Sequence, residues 1–304
     1  MKRREFIQTT GIAGIAIGLG GMGLLSAFDE KKYRKHITIL HTNDVHSHIE
    51  TFPADHPKYP NQGGVARRFT LIEEIRKENP NIVLLDAGDI FQGTPYFNFY
   101  GGEVELKLMS KLGYEAATIG NHEFDNGIEG LYAQLPNANF DFVNSNYDFS
   151  NTILDGKIKP FKMILKEGIK IGVFGLGIEL EGLVEKKMYK ETIYMDPVEV
   201  AQEIAAKLKS EEKCDLIICL SHLGYHYQSK KIDDLKLASR TQDIDLIIGG
   251  HTHTFLPKPT IAKNKLGKNV LINQVGWAGV NLGRIDFYFS DVEEVATKGT
   301  NIIV

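Results

Sequence analysis

Apolar and polar positions alternate along the chain with two periodicities, one typical of buried strands and one typical of amphipathic helices. Apolar runs predict strands at residues 36–42, 81–89, 115–120, 141–146, 169–177, 214–222, 243–251, 269–276 and 281–290. Apolar residues at helical spacing predict helices at residues 65–79, 101–113, 127–135, 196–212 and 230–242. Strands that alternate with helices predict a layered α/β fold.

The end of the chain has a different pattern, because two predicted strands follow one another without a helix. We expect residues 269–276 and 281–290 to pair and to close one edge of a sheet. Residues 147–160 and 180–195 are predicted surface loops. We therefore expect one domain at residues 36–290 and a C-terminal tail at residues 291–304.

The first 28 residues have the composition of a targeting segment. A charged start, MKRREF, precedes a glycine-rich apolar run, which predicts an export signal at residues 1–28. The Arg3-Arg4 pair resembles the twin-arginine export motif, which implies a periplasmic protein. The alternative is an uncleaved membrane anchor, and we expect contact with the membrane only through this segment.

Composition and charge narrow the classes of function. With 42% hydrophobic and 24% charged residues, the 304-residue chain has the composition of a globular protein. Its formal net charge of −4 supplies no basic excess, so we expect no stable nucleic-acid partner. Two cysteines, Cys214 and Cys219, are too few for a disulfide framework, and we predict that both are core thiols.

Five predicted strands end in polar segments that could carry chemistry. Ligands of open α/β sheets bind beyond the carboxyl ends of the strands. Each segment alone has an ordinary explanation, such as a turn, a helix start or a core histidine. Together they predict one shared site, formed by Asp44-Val45-His46, Gly88-Asp89, Asn121-His122-Glu123, Ser221-His222 and His251-Thr252-His253.

The order of these segments resembles that of the calcineurin-like metallophosphoesterases. Four segments have sequences similar to those of the 5′-nucleotidase branch of this family: HTND (41–44), GGVAR (63–67), DAGD (86–89) and GNHEFD (120–125). The resemblance covers residues 36–290 and implies an α/β (α+β) fold, a four-layer αββα sandwich. It also implies an exported phosphoric ester hydrolase that acts on phosphomonoesters such as 5′-nucleotides.

The resemblance implies two divalent metal ions that share Asp89. Their other ligands would be Asp44, His46 and His253 at one ion and Asn121, His222 and His251 at the other. Oxygen and nitrogen ligands without thiolate suit Mn, Zn, Fe or Co. Two carboxylates, two divalent ions and a bridging hydroxide sum to a charge of roughly +1, which attracts a phosphate dianion.

The same resemblance assigns the catalytic groups. The metal-bridging hydroxide would attack phosphorus, and His122, oriented by Asp125, would stabilise or protonate the leaving alkoxide. The alternative for Asp125 is the N-cap of the helix that starts near Gly127. His41, His48 and His226 lie near the motifs, but the resemblance gives them no role as ligands.

The sequence departs from the long 5′-nucleotidases, which carry a second domain that holds phosphate and base. We expect this domain to be absent, so the chain is either a phosphatase of loose specificity or the partner of a separate substrate-recognition subunit. Trp277 is a candidate aromatic platform, although a core position is the preferred interpretation. The alternatives in function are a UDP-sugar or cyclic-nucleotide phosphodiesterase, a sulfur-ester hydrolase and a non-enzymatic metal-binding subunit.

Overall fold

The computed structural model describes residues 33–290 and 295–304. The predicted export signal at residues 1–28 lies outside the described residues. Within the described part of the chain, no helix is both long and apolar enough to cross a membrane.

The first sheet has six strands in the order β14-β13-β1-β2-β3-β4. Its parallel strands are β1 (Lys35–Thr42), β2 (Ile82–Asp86), β3 (Ala116–Ala117) and β4 (Asp141–Phe142). Two antiparallel strands complete it: β13 (Asn281–Phe289) pairs with β1, and β14 (Val295–Ile303) pairs with β13.

The second sheet also has six strands, in the order β11-β12-β10-β9-β7-β6. Its parallel strands are β7 (Ile169–Leu176), β9 (Leu216–Ser221), β10 (Leu246–Gly249) and β12 (Asn269–Asn273). Its antiparallel edges are β6 (Phe161–Lys166) and β11 (Thr260–Lys263). A small separate sheet pairs β5 (Tyr147–Asp148) with β8 (Ile193–Tyr194).

Helices cover the outer faces of the two large sheets. They are α1 (Val65–Glu78), α2 (Pro95–Tyr100), α3 (Glu103–Leu112), α4 (Gly127–Gln134), α5 (Lys186–Tyr189), α6 (Pro197–Ser210) and α7 (Asp234–Arg240). Local sequence explains where several begin: Thr94 and Asp196 cap α2 and α6 through their side chains, and proline occupies the first turn of each.

Three apolar clusters hold the four layers together. Between the sheets, Ile39 and Leu85 of the first sheet pack in one cluster with Val173 and Ile218 of the second. Outside the first sheet a second cluster joins it to α1, α3 and α4. Outside the second sheet a third cluster joins it to α6 and α7. The four-layer αββα sandwich expected from the resemblance is therefore confirmed.

The expected pairing of residues 269–276 with 281–290 is wrong. β12 lies in the second sheet between β10 and β11, whereas β13 lies in the first sheet beside β1. The chain crosses from one sheet to the other between these strands. Strand periodicity reports which face of a strand is buried and carries no information on its partner, so adjacency in sequence was a poor guide here.

Other segments also differ from the sequence-based expectations. Residues 295–304, expected as part of a tail, contain β14 and extend the first sheet. The predicted surface loops include the strands β5 and β8 and the short helix α5. Cys214 and Cys219 are buried and free, which confirms their interpretation as core thiols.

Candidate metal centre

The polar segments predicted from the sequence meet at one edge of the sandwich. They follow β1, β2 and β3 of the first sheet and β9 and β10 of the second. Donor atoms from these segments form three overlapping groups, each within 4.8 Å: Asp44, His46 and His253; His46, Asp89 and His122; Asp89, His222 and His251.

The first group contains the residues assigned to one metal ion, Asp44, His46 and His253. The Nε2 atoms of His46 and His253 are 3.0 Å apart. His253 Nε2 is also 3.4 Å from Asp44 Oδ1. Asp44 is fully buried, whereas the His253 side chain is 41% exposed, so this group opens towards solvent.

We use the name second group for the residues assigned to the other ion, which are Asn121, His222 and His251. His222 Nε2 is 3.0 Å from Asp89 Oδ2, and both side chains are buried. Asn121 Oδ1 is 2.9 Å from His251 Nδ1, so these two donor atoms also converge. All residues predicted as metal ligands therefore lie together at this edge.

Asp89 stands between the two groups. Its Oδ2 is 3.0 Å from His222 Nε2 of the second group and 3.8 Å from His46 Nε2 of the first. Burial alone would raise the pKa of Asp89, but the nearby positive charges of His222 and His46 outweigh burial and hold it well below its usual range. A carboxylate in this position can contact two cations.

The donor chemistry fits divalent metal ions. The Nδ1 atoms of His46 and His222 donate to the carbonyl oxygens of Phe91 (3.3 Å) and Ala87 (2.7 Å), which leaves each Nε2 free to act as a ligand. His222 Nε2 is buried and lies outside hydrogen-bond geometry to any described residue. A cation between His222 and Asp89 would satisfy this nitrogen.

Several of the residues predicted as metal ligands have a left-handed backbone. Positive φ angles occur at Asp44 (49°), His46 (49°), Asp89 (55°), His251 (69°) and His253 (48°). Aspartate and histidine adopt this conformation more readily than most side chains do. The turns after β1, β2 and β10 therefore aim their side chains by backbone geometry that only a few residue types accept.

Glycines let these turns approach one another closely. A Cβ atom on Gly120 would lie 2.2 Å from Asp89 Oδ1, and one on Gly250 would lie 2.8 Å from His222 Nδ1. Any larger residue at either position would push a ligand side chain out of place.

His122 and Asp125 form a pair beside the centre. His122 Nδ1 donates to Asp125 Oδ2 at 2.8 Å, and the His122 ring centroid is 5.0 Å from that of His46. Burial would lower the pKa of His122, but Asp125 and Asp89 outweigh it and raise the pKa to about 9. Helix α4 starts at Gly127 without a side-chain cap, so the alternative that Asp125 caps this helix is wrong.

Three residues that the sequence analysis gave no role support the ligands. Glu123 accepts hydrogen bonds from the backbone amides of Asp89, Ile90 and Gly120. Asn43 Oδ1 accepts from the Val275 amide at 2.9 Å, and Gln274 Nε2 donates to the Gly250 carbonyl at 2.7 Å. Glu123 and Asn43 belong to the GNHE and HTND segments, so position within a motif was the available signal.

The remaining histidines near the motifs have other surroundings. His41 is fully buried and its Nε2 is 2.8 Å from Asn273 Nδ2. His226 is exposed and lies 3.4 Å from Asp233. His48 makes a T-shaped contact with Trp277, with ring centroids 5.0 Å apart. Neither the first nor the second group of donor atoms includes any of them.

Fold and site together define a metallophosphoesterase. Residues 37–255 match the calcineurin-like phosphoesterase family, and the chain belongs to this family. The matched residues run from β1 to the turn after β10, which includes His253.

The chain is similar in sequence to nucleotide-hydrolysing members of this family. The chain is 34% identical to the trifunctional nucleotide phosphoesterase YfkN of Bacillus subtilis, over 88% of this chain and 19% of that protein. It is 36% identical to the snake venom 5′-nucleotidase of Gloydius brevicauda, over 88% of this chain and 48% of the enzyme. The chain thus spans half or less of the length of these relatives.

A solved structure extends the comparison to three dimensions. The 5′-nucleotidase precursor of Thermus thermophilus superposes with a TM-score of 0.81 at 34% identity, over 89% of this chain and 55% of that one. The similarity in fold therefore includes nearly all of the described residues.

Proposed function

We propose that this chain is a di-metal phosphoesterase that hydrolyses phosphomonoesters such as 5′-nucleotides. The observation that carries the proposal is the His122–Asp125 pair at 2.8 Å, next to two groups of metal-ligating atoms that share Asp89. A protein that kept metal ions only for structure would have no need of a charged histidine–carboxylate pair beside them.

The proposed ligands are those named from the sequence. Asp44, His46 and His253 would hold one ion, Asn121, His222 and His251 the other, and Asp89 both. The metal pair, when bound, supplies Lewis acidity that neutralises phosphate charge and lowers the pKa of water. Mn, Zn, Fe and Co all suit this set of oxygen and nitrogen donors.

His122 would serve the leaving group. The Asp125 carboxylate, 2.8 Å from Nδ1, favours the imidazolium form of His122, which can donate a proton. Asp125 fixes the ring, since its carboxylate accepts from Nδ1 and leaves Nε2 for the ester oxygen. The proton transferred to the leaving alkoxide is recovered from water in the next turnover.

The proposed substrates are nucleotides. The relatives in sequence and the similar solved structure are named as nucleotide phosphoesterase or 5′-nucleotidase. The direct test is phosphate release by metal-loaded protein from AMP, UMP, a sugar phosphate and p-nitrophenyl phosphate. Cyclic nucleotides and a UDP-sugar belong in the same screen, with Mn²⁺, Co²⁺ and Zn²⁺ added separately and chelator-treated protein as the control.

We expect metal-dependent release from the phosphomonoesters. Release from the cyclic or UDP-sugar substrates alone would favour the phosphodiesterase alternative, and no release with any metal would overturn the proposed function. A preference above about a thousandfold for one nucleotide would show a specificity pocket within this chain, since a few apolar contacts discriminate only about 10- to 200-fold. A strong rise in activity on addition of a separate substrate-recognition subunit would support the interpretation of this chain as the catalytic partner of such a subunit.

We further propose that the protein is exported through its Arg3-Arg4 signal to the periplasm. Ligand sets of this kind bind several first-row ions. If the protein folds before export, the availability of metal ions in the cytoplasm would decide which ions it binds. Replacement of both arginines by lysine should leave the protein in the cytoplasm. Export of that variant at the wild-type level would contradict the twin-arginine assignment.

A further inference from the structure

Trp277 is the single tryptophan of the chain, and it lies against a proposed metal ligand. The rings of Trp277 and His253 are stacked, with an interplanar angle of 10° and centroids 6.0 Å apart. The rings of His48 and Trp277 make a T-shaped contact at 90°. The indole is half-buried and joins Phe52, Tyr59 and Val280 in a small apolar cluster.

His253 differs from two of the other proposed histidine ligands, His46 and His222, in how its ring is held. His46 and His222 each donate Nδ1 to a backbone carbonyl, the usual way in which a ligating imidazole is oriented. Among the described residues, the sole hydrogen-bond contact of the His253 ring is Nε2 to His46, which is the proposed ligand atom itself. With 41% exposure, this ring has few other restraints.

The backbone around Trp277 is tied to the same part of the centre. Ala278 donates its amide to the carbonyl of Asp44 at 2.8 Å. The Asn43 side chain donates to the Gly276 carbonyl at 2.7 Å and accepts from the Val275 amide at 2.9 Å. The indole is thereby fixed relative to Asp44, a second ligand assigned to the same ion as His253.

We propose that Trp277 is a positioning residue that holds the His253 ring for metal binding by stacking in place of a hydrogen bond. The inference rests on the proposed metal centre but is independent of the substrate. The indole stacks on His253 and also packs against the apolar cluster, so the interpretation of Trp277 as a platform for a substrate base is not favoured.

Stacking restrains the tilt of the imidazole while it leaves the ring free of a second polar partner. Loss of a group that orients a metal ligand commonly lowers metal affinity about 10- to 100-fold. We therefore expect Trp277 to influence the ion held by Asp44, His46 and His253, and to leave the ion at Asn121, His222 and His251 nearly unaffected.

The first experiment measures Zn²⁺ affinity at each site by competition with a chromophoric chelator. Trp277→Leu should weaken one of the two sites by about tenfold or more and leave the other within about twofold. Trp277→Phe, which keeps a ring that can stack, should restore most of the loss. Phe255→Leu is the matched control, because its ring packs on Tyr59 at 5.8 Å within the same aromatic region.

Equal affinities in Trp277→Leu and wild type would overturn the proposal. Equal weakening of both sites, or failure of Trp277→Phe to restore binding, would show general destabilisation instead of positioning and would also overturn it. Because no substrate is used, these outcomes do not depend on whether the proposed phosphatase activity is correct.

The second experiment uses the wild-type protein and so does not depend on the folding of a Trp277 variant. Zn²⁺ has a closed shell and does not quench tryptophan through space, so a change in emission that requires His253 reports contact with the ligand ring. We expect Zn²⁺ to change Trp277 emission in wild type and in His251→Ala. His253→Ala should lose the change, and emission that ignores Zn²⁺ in wild type would contradict the proposal.

Discussion

Glu123 and Asp89 are joined by a hydrogen bond from the Asp89 amide to Glu123 Oε2, at 3.0 Å. The same carboxylate accepts from the Gly120 amide at 2.6 Å and, through Oε1, from the Ile90 amide at 2.7 Å. Glu123 therefore locks the turn after β2 to the turn after β3. The bridging position of Asp89 depends on this buried clamp.

Replacement of Glu123 by glutamine should weaken the clamp. The amide group of the introduced glutamine would turn N–H groups towards backbone N–H donors and leave some of them without an acceptor. An unsatisfied buried donor costs about 1–3 kcal/mol, so we expect the free energy of unfolding in urea to fall by about that much. Glu103→Gln, at an exposed ion pair with Lys107, is the control and should change little. Equal stability of the Glu123 variant and wild type would contradict this role.

Replacement of Asp89 should affect both metal ions, because its Oδ2 faces both groups of ligands. Asp89→Asn is expected to lose both ions on dialysis, whereas His253→Ala should mainly lose one. Elemental analysis of protein refilled with Mn²⁺ or Zn²⁺ measures the difference. A wild-type protein with one ion or none after metal supply would rule out a di-metal centre.

Replacement of His122 should slow turnover and spare metal binding. General acid–base catalysis contributes typically about 10²–10⁴-fold, so we expect His122→Ala to lower kcat by that factor on AMP. The loss should be smaller on p-nitrophenyl phosphate, whose leaving group needs no proton. Asp125→Asn should show the same trend, and the exposed His226→Ala should not. Equal losses on both substrates would remove His122 from this role.

Burial of His41 predicts acid sensitivity of the fold. Desolvation lowers the pKa of His41 from 6.5 to about 3. As pH falls, His41 is protonated in the unfolded chain before it is protonated in the folded protein. The contribution of neutral His41 to the free energy of unfolding is therefore complete above pH 6.5 and is lost as pH falls towards 3. Between about pH 7 and pH 5 the free energy of unfolding should fall by ~2 kcal/mol more in wild type than in His41→Gln. An equal fall in the free energy of unfolding of the two proteins, measured in urea at both pH values, would contradict this.

The chemistry of the site could be predicted from the sequence far better than the edges of the fold. Asp44, Asp89 and His222 each follow a strongly apolar strand, so their place at a strand end was visible locally. The partner of β13 was not visible, because pairing with β1 depends on contacts more than 200 residues apart. The late strand β14 also lacked a clear apolar pattern.

The supports of the ligands were equally hidden. Glu123 lies in a predicted motif, but its four-amide clamp requires the turn after β2 to come within hydrogen-bond distance. The stack of Trp277 on His253 joins a residue that precedes β11 in the chain to one that follows β12. Such contacts follow from the assembled layers and not from any local pattern.

The left-handed turns at Asp44, His46, Asp89, His251 and His253 restrict how this site can change in descent. A ligand that lost its function would still occupy a backbone conformation that costs most side chains about 1–2 kcal/mol. We therefore expect a degenerate, metal-free descendant to carry asparagine, aspartate or glycine at these places in preference to alanine or valine. The shape of the turns would outlast the chemistry and would mark the former site.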